Sequence, residues 1–243
     1  LRDRRRADFI DERTVGKGKK RRLRADGKKA LPASEAQRDS VEAFMRSFAK
    51  RESAPEFYRV LDVARRIAGT GSLGVDRYVV LVAGKGSPDR NYLLDLKQTL
   101  PSSLVSRLQV AQPAWASDAE RAVALQRRAQ AVPMALMHPV QFNGGAYVLR
   151  GLQPSEDRVQ LDQTRGNLKV LEPLIATMGR LVAWAHLRGA GRDGSAVPDE
   201  LIDFAKGKAW HAQLLSAAHD CAGQVRKDAA AFDAACDDGL LDV

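Results

Sequence analysis

One stretch limits what this chain can fold into: Ile67-Ala68-Gly69-Thr70-Gly71-Ser72-Leu73-Gly74-Val75-Asp76-Arg77-Tyr78-Val79-Val80-Leu81-Val82, followed by Leu93-Leu94-Asp95-Leu96-Lys97. It reads as strand, glycine-rich turn, strand, short loop and strand, with a lysine inside the third strand. The residues after Gly74 alternate and are β-branched, so no helix follows the glycines. Three glycines at G-x-G-x-x-G spacing let the backbone turn tightly and approach an anion with no Cβ in the way. Ser72 adds a hydroxyl at the tip. The strand Tyr78 to Val82 is nearly all apolar and should be central in its sheet. In the next strand Leu93, Asp95 and Lys97 share one face, and Tyr92, Leu94 and Leu96 the other. The second face is the better core, which turns Lys97 outward or into a cleft beside Asp95.

This pattern excludes two nucleotide motifs. A dinucleotide fingerprint needs a helix after the glycines, and a Walker loop ends in Gly-Lys-Ser/Thr. What fits is a kinase-type glycine-rich loop with its strand-borne lysine. An ordinary hairpin turn with a solvated lysine, paired locally with Asp95, fits the same residues.

Around this centre the 243 residues carry enough apolar sequence, 44%, for one large domain or two lobes. No apolar run approaches the ~20 residues of a membrane span, and no signal-peptide pattern opens the chain. The two cysteines, Cys221 and Cys236, fall in one helical stretch about 22 Å apart, too far to pair. A reducing, cytoplasmic compartment follows as the simplest expectation. The net charge of +9 is concentrated: residues 1–30 hold thirteen Lys/Arg against five Asp/Glu. Arg2 to Arg13 reads as a charged helix or arm. Asp26-Gly27, between Lys19–Arg24 and Lys28–Leu31, predicts a hairpin. Such a ribbon suits a polyanion, nucleic acid included, or is a lysine-protected sheet edge. No aromatic interleaves the charges, so base stacking is unsupported.

Further along, Ser34 and Gln37 form a capping box for a helix bearing Val41, Phe44, Met45 and Phe48. A shorter helix is expected from Pro55, carrying Phe57, Val60, Leu61 and Ala64. Ser117 and Glu120 open a helix to about Ala131. Glu120 is the acid there that could pair with Lys97, or bond back to its own cap. His138–Phe142, Asn143-Gly144-Gly145 and Ala146–Arg150 form a hairpin. Residues 168–185 and 201–232 are helical, with Pro173 in a first turn and Gly189 as a stop. There is no metal-ligand cluster, nucleophile elbow, H-R-D-x-x-x-x-N loop or D-F-G in the sequence.

Several motifs in order resemble the bacterial domain-of-unknown-function family 2252. They are Ala68–Gly74, Tyr78–Leu81, Leu96–Leu104, Arg121-Ala122-Val123 with Gln126-Arg127 and Gln130, Tyr147–Arg150, Leu181–His186 and Phe204-Ala205. They span roughly residues 55 to 235. The resemblance implies a distant kinase-like fold near the aminoglycoside phosphotransferases. It also implies a C-terminal portion whose Gly-Asp-x-His-x-x-Asn-Phe-Gly and Asn-Asp-Phe-Asp motifs lie upstream, which a start at Leu1 suits. Two positions depart from the pattern. Ala124 stands where the family has glutamate, and Asp95 where kinases place a small residue against adenine.

The expected fold is therefore α+β and protein-kinase-like: an antiparallel sheet lobe with one packed helix, plus an α-helical C-terminal lobe. The expected segments are a basic arm and hairpin (1–33), a helix pair with the glycine-loop sheet lobe (34–152) and a helical lobe (153–243). The expected function is ATP binding in a phosphotransferase-type protein, with no phosphate transfer by this chain alone. Gly69, Gly71, Ser72, Gly74 and Lys97 would hold the phosphates and Glu120 would support Lys97. Backbone near Leu149 and Gly151 would face the base, and any Mg2+ would take its ligands from outside the chain. The expected partners are a nucleotide, the missing N-terminal portion of the same protein and, as the alternative function, a polyanion at residues 1–30.

Overall fold

The structure is a computed structural model that describes residues 6–27, 29–69, 74–85, 90–154, 159, 161 and 166–240. It is α+β, with two compact units, Leu1–Arg188 and Gly189–Val243.

The first unit is built on a six-stranded antiparallel sheet. Its strands are β3 (Ala30–Pro32), β4 (Val60–Arg66), β5 (Arg77–Val82), β6 (Tyr92–Gln98), β7 (His138–Phe142) and β8 (Gly145–Gly151), in the order β3-β4-β5-β6-β8-β7. A smaller antiparallel pair, β1 (Thr14–Val15) and β2 (Arg22–Leu23), follows helix α1 (Arg6–Arg13). The apolar run of β5 lies at the sheet's centre, as its composition predicts. Asn143 and Gly144 both have positive φ, +47° and +73°, and close the β7–β8 hairpin.

The sheet is covered on both faces, which explains its strands. Helix α2 (Glu35–Ala49) lays Val41, Met45 and Phe48 against Val63, Val80, Leu94, Leu96 and Leu149. Its first turn is held reciprocally by Ser34 and Gln37, at 3.2 and 2.9 Å. On the opposite face Ile10 of α1 and Leu23 of β2 pack on Ala64, Val79, Leu81 and Leu93. Further along that face, helix α3 (Asp118–Ala129) packs Ala119 and Val123 on Met137 and Val148. Between these two patches lie the outward residues of β6.

Three local expectations are corrected. The segment after Pro55 is only a 3-10 turn, Pro55–Tyr58, and Val60, Leu61 and Ala64 belong to β4. Val63 and Ala64 are buried on opposite faces, between β3 and β5, so sheet pairing overrides the helical spacing. Asp26-Gly27 turns the chain but closes no hairpin. The Asp26 carboxylate accepts from the Lys29 and Ala30 N–H groups at 2.7 and 3.2 Å, and the flanking strands pair elsewhere, β2 with β1 and β3 with β4. Pro173 sits inside helix α4 (Leu168–Gly189) rather than in its first turn, because Asn167 starts the helix earlier: its side-chain oxygen accepts from the Lys169 N–H at 3.1 Å.

Helix α4 has no buried residue. The second unit holds α5 (Pro198–Lys206) and α6 (Ala209–Asp237), where Phe204 stacks on Trp210 with ring centres 5.7 Å apart. Cys221 and Cys236 are free and exposed on α6. Among the described residues, no helix is long and apolar enough to cross a membrane.

Candidate functional site

The glycine-rich turn joins β4 to β5. Gly69 and Gly74 stand at its two ends with φ of +69° and +75°, and a Cβ at either position would meet no atom within 4 Å. Glycine is therefore needed for the left-handed backbone rather than for space. Gly71 and Ser72 lie outside the described residues. The exit is pinned to β6: Gln98 donates its backbone N–H to Asp76 O at 2.9 Å and accepts the Asp76 N–H on its side-chain oxygen at 3.1 Å. The buried Tyr147 hydroxyl donates to Asp76 at 3.4 Å. Burial and that carboxylate push the phenol up to about 12.

Strand register assembles a charged face on the strands that flank this turn and their neighbours. Residues directly opposite in an antiparallel pair share a face. Arg77 is opposite Lys97, and Asp95 lies between Val79 of β5 and Arg150 of β8. Arg66 joins from the end of β4. Asp95 is 1% exposed and is gripped from three sides. Arg77 holds it with two nitrogens, Nε and Nη2, each at 2.7 Å. Arg66 Nη1 stands at 3.1 Å and Arg150 Nε at 3.3 Å. Arg77 also reaches back to Ala68 O at 3.4 Å, which ties the cluster to the turn.

Burial by itself would raise the Asp95 carboxyl. The Arg77 hydrogen bonds and the three guanidinium charges overcome it, so the pKa falls below its ordinary value. Lys97 is the reverse case. Among the described residues it enters no ion pair, and its pKa is lowered, first by burial and then by Arg77, with Arg150 and Arg66 adding to the effect and Asp95 opposing it. Arg66 is likewise lowered, mainly by burial, against the pull of Asp95. Among the described residues, the face thus sets four cations, Arg66, Arg77, Lys97 and Arg150, against one carboxylate. Such an excess suits an anion.

The other expected site residues lie elsewhere. Glu120 is exposed on α3; its N–H donates to Ser117 Oγ at 3.1 Å, and its neighbours are Ser117, His138 and Glu52 on a different groove. Leu149 is fully buried in the α2 core. Gly151 gives its N–H to Ala135 O and Leu152 gives its N–H to Leu93 O, each at 2.8 Å. These donors serve the fold. Among the described residues, no group of three His, Cys, Asp or Glu could hold a metal ion. Sequence reasoning found Lys97 and Asp95 but missed their arginines. Arg66 closes β4 and Arg77 opens β5, but Arg150 is the penultimate residue of β8, and only the strand register brings the three together.

A cleft of about 340 Å³ opens beside the cluster, between the N-terminal segment and the sheet. Its floor is Leu23, Ala64, Val79 and Leu152, and Arg66 and Gly69 stand on its wall.

No curated protein and no solved structure shows a match to the chain. A family described as "Uncharacterized protein conserved in bacteria (DUF2252)" matches residues 1–235. That span takes in the basic N-terminal segment as well as the glycine turn, the charged face and the C-terminal helices. The chain belongs to this DUF2252 family of bacterial proteins.

Proposed function

We propose that this chain is a kinase-like nucleotide-binding module of a phosphotransferase-type protein. One observation carries the reading: among the described residues, four cations share a face with one carboxylate next to the strand ends that lead into Gly69 and out of Gly74, and Lys97 stands there outside any ion pair. The order of elements supports it. A glycine turn joins two antiparallel strands, the lysine is on the third, a helix follows, and two more strands complete the sheet. That is the arrangement in which kinases hold ATP phosphates under a glycine loop. Asp95, standing where kinases keep a small residue, serves to hold Arg77, Arg66 and Arg150 in place.

The groups that would activate an acceptor or hold Mg2+ are not supplied by motifs in this sequence, so this chain by itself binds ATP without transferring phosphate. A thermal-shift titration with Mg-ATP tests the reading. The wild type is expected to gain stability and Lys97→Ala to lose most of that gain. No shift in the wild type refutes it.

A second reading, polyanion binding, draws on the exposed Lys17, Lys20, Arg22 and Arg24 of the N-terminal segment. Deleting residues 1–30 would remove Ile10 and Leu23 from the core, so charge reversal is the sound test. Affinity for single-stranded DNA should fall steeply with salt and vanish in Lys17→Glu/Lys20→Glu/Arg22→Glu. Salt-independent binding excludes it.

A further inference from the structure

We infer that the cleft between the N-terminal segment and the sheet is a binding site for a small organic anion with an apolar, single-ring body. The inference stands apart from the nucleotide reading, although the two sites share a wall at Gly69 and Arg66.

The shape comes first. About 340 Å³ is at the lower end of small-molecule sites, roughly 300–1,000 Å³. The floor is apolar and comes from four separate elements: Leu23 of β2, Ala64 of β4, Val79 of β5 and Leu152 beyond β8. A floor of this kind takes a ring or short hydrocarbon. It exists only because α1 and β2 are folded onto the sheet, so the basic segment forms part of the site.

Charge then selects the ligand. The lining carries Arg13, Arg24, Lys29 and Arg66 against Glu12 and Asp26. With Glu12 and Arg13 paired, Arg24, Lys29 and Arg66 outnumber Asp26 in the lining. Glu12 pairs with Arg13 at 3.1 Å, and Asp26 accepts from the backbone of its own turn. Arg66 is the inner cation, 14% exposed. Among the described residues its one carboxylate partner is Asp95, which is divided among three arginines, so the positive charge on the wall is not cancelled. Arg24 is exposed at the rim. A phosphate or carboxylate on the ring would meet Arg66 on the inner wall, with Arg24 closing over it.

The test uses phenyl phosphate with the full chain, followed by backbone amide chemical shifts. Saturable shifts are expected at Ala30, Gly69 and Leu152. Inorganic phosphate and phenol should each bind about tenfold more weakly or worse. Arg24→Gln should raise the Kd up to about fivefold, the scale of a rim charge. Ala30→Leu, which fills the cleft, should abolish the shifts; if that variant does not fold, Arg24→Gln decides. Lys97→Ala should leave phenyl phosphate binding intact while removing the ATP response, so either reading can fail alone. The inference is overturned by the absence of saturable shifts, by shifts confined to residues 168–237, by inorganic phosphate binding as tightly as phenyl phosphate, or by a folded Arg24→Gln or Ala30→Leu variant that binds like wild type.

Discussion

Asp95 and Lys97 sit two residues apart on one strand and have opposite costs. Asp95 is buried with three guanidinium groups, so Asp95→Asn leaves three cations facing one another. Removing one partner of a buried ionic cluster costs roughly 3–5 kcal/mol. The folded carboxyl titrates below its ordinary value of 3.8. Its contribution to stability is therefore complete above that value and fades as pH falls through the lower folded pKa. Urea midpoints measured between pH 6 and pH 2.5 should show this acid loss in the wild type and a flatter profile in Asp95→Asn. Lys97 behaves inversely. Its folded pKa is lowered, so its charged form is disfavoured in the native state at neutral pH, and that penalty is relieved as pH rises toward 10.5. Without ligand, Lys97→Met should melt at or above the wild-type temperature at pH 7, with the difference shrinking in alkali. A clear loss of stability at pH 7 would mean that the ammonium has a structural partner. A side chain kept at a cost to stability is a sign of binding.

The sheet succeeds because β4, β5 and β6 are apolar toward α2 and mixed on the other side. Met45, on the inner face of α2, is fully buried, and Met45→Ala should cost about 2–5 kcal/mol in chemical denaturation. Ser34→Ala, which removes the cap of the same helix, should cost only about 1 kcal/mol. If the two losses proved equal, α2 would be held by its end rather than by its face. The glycine turn is a separate case. Gly74→Ala meets no steric block but must adopt a φ of +75°, so it should lower stability by about 1 kcal/mol. If ligand binding depends on that backbone, its affinity should fall as well.

Burial differs sharply between the sheet and the helices that follow it. The sheet has a core on each face, whereas α4 of the same unit and α5 and α6 of the second unit bury none of their residues and expose Ile175, Leu181, Leu214 and Phe232. Few buried contacts mean low local stability. Hydrogen exchange should therefore be slow in β5 and β6 and orders of magnitude faster through residues 168–237. Equal protection would show that the helices are covered in solution.

The sequence alone determined what depends on neighbours along the chain. The Ser34–Gln37 cap, the Asn143-Gly144 turn, the two faces of β6 and the central place of β5 are short-range consequences of hydrogen bonding, φ preference and alternation. Tertiary structure decided what depends on distant residues. It made Val60–Arg66 a strand, sent the residues flanking Asp26-Gly27 to different sheets and placed Glu120 away from Lys97. It also gathered Arg66, Arg77 and Arg150 around Asp95, from positions 11 to 84 residues apart. No local pattern encodes that meeting, because strand register sets it, and register follows from how the two faces of the sheet are buried.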